Sequence, residues 1–108
     1  MDLQDLTIAF TRSAVAQRNL NPVTVVEDFY KKIDAEDPNI GAYLTLTKER
    51  ALAKAHEVQK LADRGDPLPP LAGVPIAVKD VMVMKGVRST AGSKILDNFI
   101  SPYDSTAV

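Results

Sequence analysis

Apolar residues recur at three- and four-residue intervals through the first half of the chain, then crowd into one continuous run in the second half. Leu3, Leu6, Phe10 and Ala14 trace one face of an amphipathic helix over residues 2–18, with Asp2 placed to cap it. The polar stretch Arg18-Asn19-Leu20-Asn21 ends that helix. Asn21-Pro22 then has the order of an N-cap followed by proline at the first helical position, where the missing N–H costs nothing. Val23, Val26, Tyr30 and Ile33 supply the buried face of the second helix, and Asp37-Pro38 stops it.

Residues 40–46 are rich in β-formers and read as a short strand or extended connection. Thr47 precedes a third helix running to about Arg64, striped with Ala51, Ala55, Val58 and Ala62 and closed by Gly65 in a left-handed turn. His56 falls beside that stripe and reads as a surface residue, since no other ligand group accompanies it. Asp66-Pro67-Leu68-Pro69-Pro70 cannot be regular structure, because proline removes donors and forces extended geometry. It makes a stiff connector over residues 66–72. Beyond it come a β-prone run over residues 73–83, a turn at Met84-Lys85-Gly86, an extended piece at Val87-Arg88-Ser89-Thr90, a bend at Ala91-Gly92-Ser93 and a helical turn over residues 94–99.

The β-prone run carries a single lysine, Lys79, among apolar neighbours. Three environments are open to it. Its stem can lie along apolar surface with the ammonium in water; it can pair with Asp80 or a remote carboxylate as a structural ion pair; or a low-dielectric site can hold it, favouring the neutral amine and making it a base.

Composition narrows the chemistry. With 108 residues, 45% of them hydrophobic and 25% charged, the chain has the balance of one small soluble domain. The absence of cysteine removes disulfides, thiolate metal sites and a cysteine nucleophile from this chain, and a single histidine brings no zinc motif. A net charge of -1 provides no basic field for nucleic acid, so direct RNA contact by this segment is not expected. The acidic start Met1-Asp2-Leu3-Gln4-Asp5 is unlike a secretory signal, and a cytoplasmic protein is expected. Asp104-Ser105-Thr106 has the chemistry of a helix start just before Val108, which leads us to expect the front part of a longer protein.

Gly73-Val74-Pro75-Ile76-Ala77-Val78-Lys79-Asp80, then Gly86-Val87-Arg88-Ser89-Thr90-Ala91-Gly92-Ser93, then Pro102-Tyr103-Asp104-Ser105-Thr106, closely resemble in that order the amidase signature family, and within it the amidotransferases. The likeness is weak through the N-terminal helices and strong from Leu71 onward. It implies an α/β chain: a helical region over residues 1–65, the connector over residues 66–72, and over residues 73–108 the start of a catalytic core with one or two strands of an incomplete mixed sheet.

The resemblance also implies a mechanism. Family members activate a nucleophilic serine with a lysine acting through a bridging, cis-peptide serine. Lys79 matches that lysine and is the one catalytic residue assigned here. The serines belong to a Gly-Ser-rich stretch that residues 1–108 do not contain. Ser89 and Ser93 are read as turn and cap hydroxyls, and Asp80 as a holder of the lysine or its neighbouring backbone. The implied activity is glutamine hydrolysis supplying ammonia to a tRNA-dependent amidotransferase, with the isolated segment inactive. No cofactor or metal is expected in this chain; ATP and Mg are expected at a partner subunit of a heterotrimer. Another amide hydrolase and a short non-catalytic docking module are the competing readings. A Schiff-base lysine enzyme ranks last, because no phosphate-binding or barrel pattern accompanies Lys79.

Overall fold

Three helices form where local signals agree: α1 (Ile8–Ala16), α2 (Pro22–Glu36) and α3 (Lys48–Asp63). The computed structural model describes every residue from Met1 to Val108. The chain divides into two units, one made of Met1–Ala42 with Lys48–Pro75, the other of Tyr43–Thr47 with Ile76–Val108.

The single helix expected over residues 2–18 is broken. Asp2 does cap, accepting the Gln4 N–H at 2.9 Å, but it caps only a 3₁₀ turn, Leu3–Asp5. Thr7 then opens α1 by accepting the Phe10 N–H at 3.2 Å on its hydroxyl. A second capping hydroxyl offers the backbone a fresh start, and the chain takes it. The inward face is Thr11, Ala14 and Val15, whereas Phe10, about 100° round the helix from Thr11, is 54% exposed. α1 ends in a Schellman turn, with Asn19 N–H donating to Ala14 C=O and Arg18 N–H to Val15 C=O.

α2 starts as expected, with the Asn21 side chain accepting the Val23 N–H at 2.8 Å and Pro22 in its first turn. Its centre of burial is shifted from the expected face. Pro22 and Val25 are buried while Val23, Val26, Tyr30 and Ile33 are only half-buried. α2 packs on α3, whose stripe lies where the alanine pattern put it: Ala55, Val58 and Ala62 are buried. Small side chains there allow the helices to approach closely. The Lys48 ammonium also stands 5.5 Å from the Tyr30 ring, a cation–π contact between the two helices. At the C-terminal end, Gly65 (φ +70°) donates to Ala62 C=O and Asp66 to Leu61 C=O, the same Schellman pairing.

The core of the first unit joins Val15, Val58, Ala62 and Ala72, with Leu20 and Leu68 against them. The proline connector is therefore more than a spacer. Its successive turns, Ala72 N–H to Pro69 C=O and Val74 N–H to Leu71 C=O, deliver Ala72 into the core and place Gly73 against Val15.

The expected strands do not form. Residues 40–46 are irregular, with Ile40, Tyr43, Leu44 and Leu46 exposed. Residues 76–78 belong to no regular element and make no backbone hydrogen bond, so their β-forming side chains have no ladder to join. The only β-type pairing is one antiparallel bridge, Arg88 with Ile100, flanked by Gly86 N–H to Ser101 C=O and Ser89 N–H to Phe99 C=O. Between its arms, residues 94–99 make consecutive turns and no helix.

Candidate functional site

The second unit is built around residues 79–92. Lys79 C=O accepts the Met82 N–H at 2.9 Å, closing a turn just after the β-prone run. The Lys79 side chain is exposed in this chain, and no carboxylate stands within ion-pairing distance of its ammonium. Of the three environments open to it on sequence grounds, the solvent-facing one is what residues 1–108 provide.

Asp80 is held on every side. Its carbonyl accepts the Ser89 hydroxyl at 2.7 Å and the Ala91 N–H at 3.3 Å. Its carboxylate accepts the Thr90 N–H at 3.0 Å on Oδ1 and the Thr90 hydroxyl on Oδ2. Thr90 Oγ1 in turn accepts the Gly92 N–H at 3.1 Å. The Thr90 hydroxyl, the Thr90 N–H and the Gly92 N–H hold the Asp80 carboxyl below its usual range, aided by the Arg88 charge and opposed by desolvation. Ser89 and Thr90 are both buried. Ala91 between these contacts has φ +49°, a left-handed conformation that an L-residue keeps only when its surroundings hold it.

Arg88 organises the other side of the unit. Its guanidinium donates to the Asp97 carbonyl and carboxylate, to the Leu44 carbonyl at 3.1 Å and to the Thr45 hydroxyl at 3.2 Å. One planar fork thus ties three separate stretches of chain. The Lys85 N–H donates to Asp104 Oδ1 at 2.7 Å, and the Ser105 N–H to Val83 C=O at 2.9 Å. Ser101, fully buried, both donates to the Tyr103 carbonyl and accepts its N–H. The motif segments that are scattered along the sequence therefore meet through backbone and side-chain hydrogen bonds.

Ser89 spends its hydroxyl on the Asp80 carbonyl, and Ser93 accepts the Ile95 N–H at 3.3 Å. Thr90 and Arg88 were not singled out from sequence. Their partners lie ten and nine residues away with no periodic signal, and only the folded turn brings them together. No group of three or more His, Cys, Asp or Glu side chains converges. An open groove of about 590 Å³ in the first unit is lined by Arg12, Ser13 and Asp66 among alanine, proline and leucine, and contains neither Lys79 nor Asp80. No helix is long and apolar enough to cross a membrane.

Comparison with known proteins gives consistent results. The amidase family model matches residues 24–108. Over 108 residues the chain is 57% identical to the A subunit of the glutamyl-tRNA(Gln) amidotransferase of Koribacter versatilis (strain Ellin345), covering all of this chain and 22% of that protein. It is 44% identical over 108 residues to the protein of the same name from Geobacter metallireducens, with the same 22% coverage. A solved structure, described as a vestigial protein complex revealing the evolutionary origins of an s-triazine catabolic enzyme, superposes with a TM-score of 0.86 at 34% identity. That match covers 93% of this chain and 22% of the other. The chain thus spans about a fifth of the length of the proteins it matches.

Proposed function

This chain belongs to the amidase family, and on that premise we propose that it is the N-terminal, lysine-bearing part of the glutaminase subunit of a tRNA-dependent amidotransferase. The observation that carries the reading is the 57% identity to an amidotransferase subunit over an aligned span of all 108 residues. The whole protein hydrolyses glutamine and supplies ammonia for converting Glu-tRNA(Gln) or Asp-tRNA(Asn) to the amidated form. Lys79, as the neutral amine, takes a proton through the bridging serine from the nucleophilic serine. The serine oxygen then attacks the glutamine side-chain amide carbon, the proton is handed back through the bridging serine to the amide nitrogen, the C–N bond breaks, ammonia departs, and water hydrolyses the acyl-serine that remains to glutamate. A hydroxyl is a weak nucleophile without such a base. Both serines, and the amides that would stabilise the oxyanion, lie outside residues 1–108, so the segment alone is inactive. ATP and Mg belong to the partner subunit that activates the misacylated tRNA.

The apolar surface of the second unit supports this reading. Ile76, Val81, Ile95 and Ile100 are all more than half exposed, Ile95 at 90%. Side chains of this kind are what the remainder of a larger core would cover. It would equally surround Lys79 and give it the low-dielectric setting that a base needs.

A second reading, hydrolysis of another amide, draws on the structural likeness to a complex connected with an s-triazine catabolic enzyme. The test uses the whole protein assembled with its partner subunits, assaying ammonia release from glutamine and amidation of Glu-tRNA(Gln), with Lys79→Ala beside it. Glutamine hydrolysis that Lys79→Ala abolishes is the expected result. Near-normal turnover by the folded variant would remove Lys79 from the mechanism. Turnover of simple amides in preference to glutamine would establish the second reading.

A further inference from the structure

Lys79 is a long, exposed side chain on a stretch of backbone with no ladder partner, so something other than a sheet must fix where its Cα–Cβ bond points. The adjoining residue provides that. Asp80 is anchored through both its carbonyl and its carboxylate, on the main chain or side chains of Ser89, Thr90 and Ala91. The carboxylate receives two donors from one residue, and Thr90 Oγ1, which gives its proton to Asp80, takes one from the Gly92 N–H. Hydrogen bonds in such a chain polarise one another. The turn that presents these donors holds Ala91 left-handed, so its geometry is maintained against a local preference.

We propose that Asp80 and Thr90 are positioning residues for Lys79: the carboxylate–hydroxyl clasp fixes Asp80, the residue that follows Lys79 in the chain, and with it the direction in which the amine is delivered to the catalytic serines. The proposal rests on the assignment of Lys79 as the base. It adds that neither Asp80 nor Thr90 touches the substrate, and that both act on turnover rather than on glutamine binding. Misplacement of a reacting group by an ångström is enough for a large loss of rate.

The test is made on the whole protein in its complex, comparing Asp80→Asn, Asp80→Glu, Thr90→Val and Thr90→Ser with Lys79→Ala. Asp80→Glu keeps the charge but moves the carboxylate by one methylene, and Thr90→Val keeps the shape but loses the hydroxyl. Folded Asp80→Asn, Asp80→Glu and Thr90→Val should each lower kcat at least about tenfold with KM for glutamine within about twofold, while Thr90→Ser, which restores the hydroxyl, should recover most of kcat. A folded clasp-breaking variant with kcat within about twofold of wild type, while Lys79→Ala is inactive, would overturn the clasp and leave the base assignment standing. An active Lys79→Ala would instead overturn the base assignment. If all three clasp-breaking variants failed to fold, the clasp would be a folding element, and the positioning role would be refuted.

Discussion

Gly73 meets Val15 so closely that a Cβ built on the glycine would stand 2.8 Å from Val15 Cγ2. The connector can deliver Ala72 into the core only because the next residue has no side chain. Gly73 also has φ +79°, so substitution there meets a clash and a conformational cost together. Gly65 has φ +70° with nothing within 4 Å, so it meets the conformational cost alone. In the intact protein, Gly65→Ala should lower stability by roughly 1–2 kcal/mol, and Gly73→Ala by a further ~1–3 kcal/mol of overpacking. Urea unfolding of both variants measures the difference. Equal losses would mean that Val15 yields at no cost.

The Thr11 hydroxyl is buried without a hydrogen-bond partner, on the inward face of α1. Exchange for the nearly isosteric valine removes a polar atom that gains nothing from burial. Thr11→Val should raise stability by about 1 kcal/mol, read as an increase in the urea midpoint at unchanged slope. A loss of stability would show that the hydroxyl is in fact satisfied.

Arg88 holds residues 44 and 45 through one terminal nitrogen of its guanidinium and Asp97 through Nε and the other. Lysine keeps the charge but offers no fork. Asp97 is largely exposed, so the ion pair itself contributes little; the Leu44 carbonyl and Thr45 hydroxyl are what Arg88→Lys gives up. Expected losses are about 1–2 kcal/mol, with faster proteolytic nicking within residues 43–47. An unaltered nicking rate would show that Arg88 does not restrain that segment.

Asp80 makes the fold sensitive to acid in a definite sense. Its folded pKa lies below the ordinary 3.8, chiefly through the Thr90 hydroxyl, so its contribution is present above the unfolded value and is lost as pH falls through the folded one. The stability gap between wild type and Asp80→Asn should be constant above about pH 5 and narrow progressively below it. Denaturation midpoints for both proteins across about pH 3–7 test this. A gap that widened toward low pH would contradict the sign.

The features legible in the sequence are those set by neighbours in the chain. Asn21 and Pro22 opening α2, Asp37-Pro38 closing it, the alanine stripe of α3 and Gly65 at its end depend on one turn of backbone and its immediate caps, and the structure contains each of them. Periodicity identified residues that share a helix face in α2 and α3, but not over residues 2–18, where Leu3 and Leu6 lie outside α1 and Phe10 is exposed while Ala14 is buried. It could not say which way a face turns, because packing decides that; hence Phe10 lies outward and Val25, missing from the expected face, is fully buried. Nor could β-propensity make a strand over residues 73–83, since a ladder requires a second segment at the right distance and the chain supplies only one bridge, at Arg88 and Ile100. The motif order around Lys79 pointed to an amidase, and the family match agrees. What only the tertiary structure decided is how that lysine is carried: Asp80 reaches Thr90 across ten residues, a pairing fixed by the closure of a turn and not by any rule of spacing.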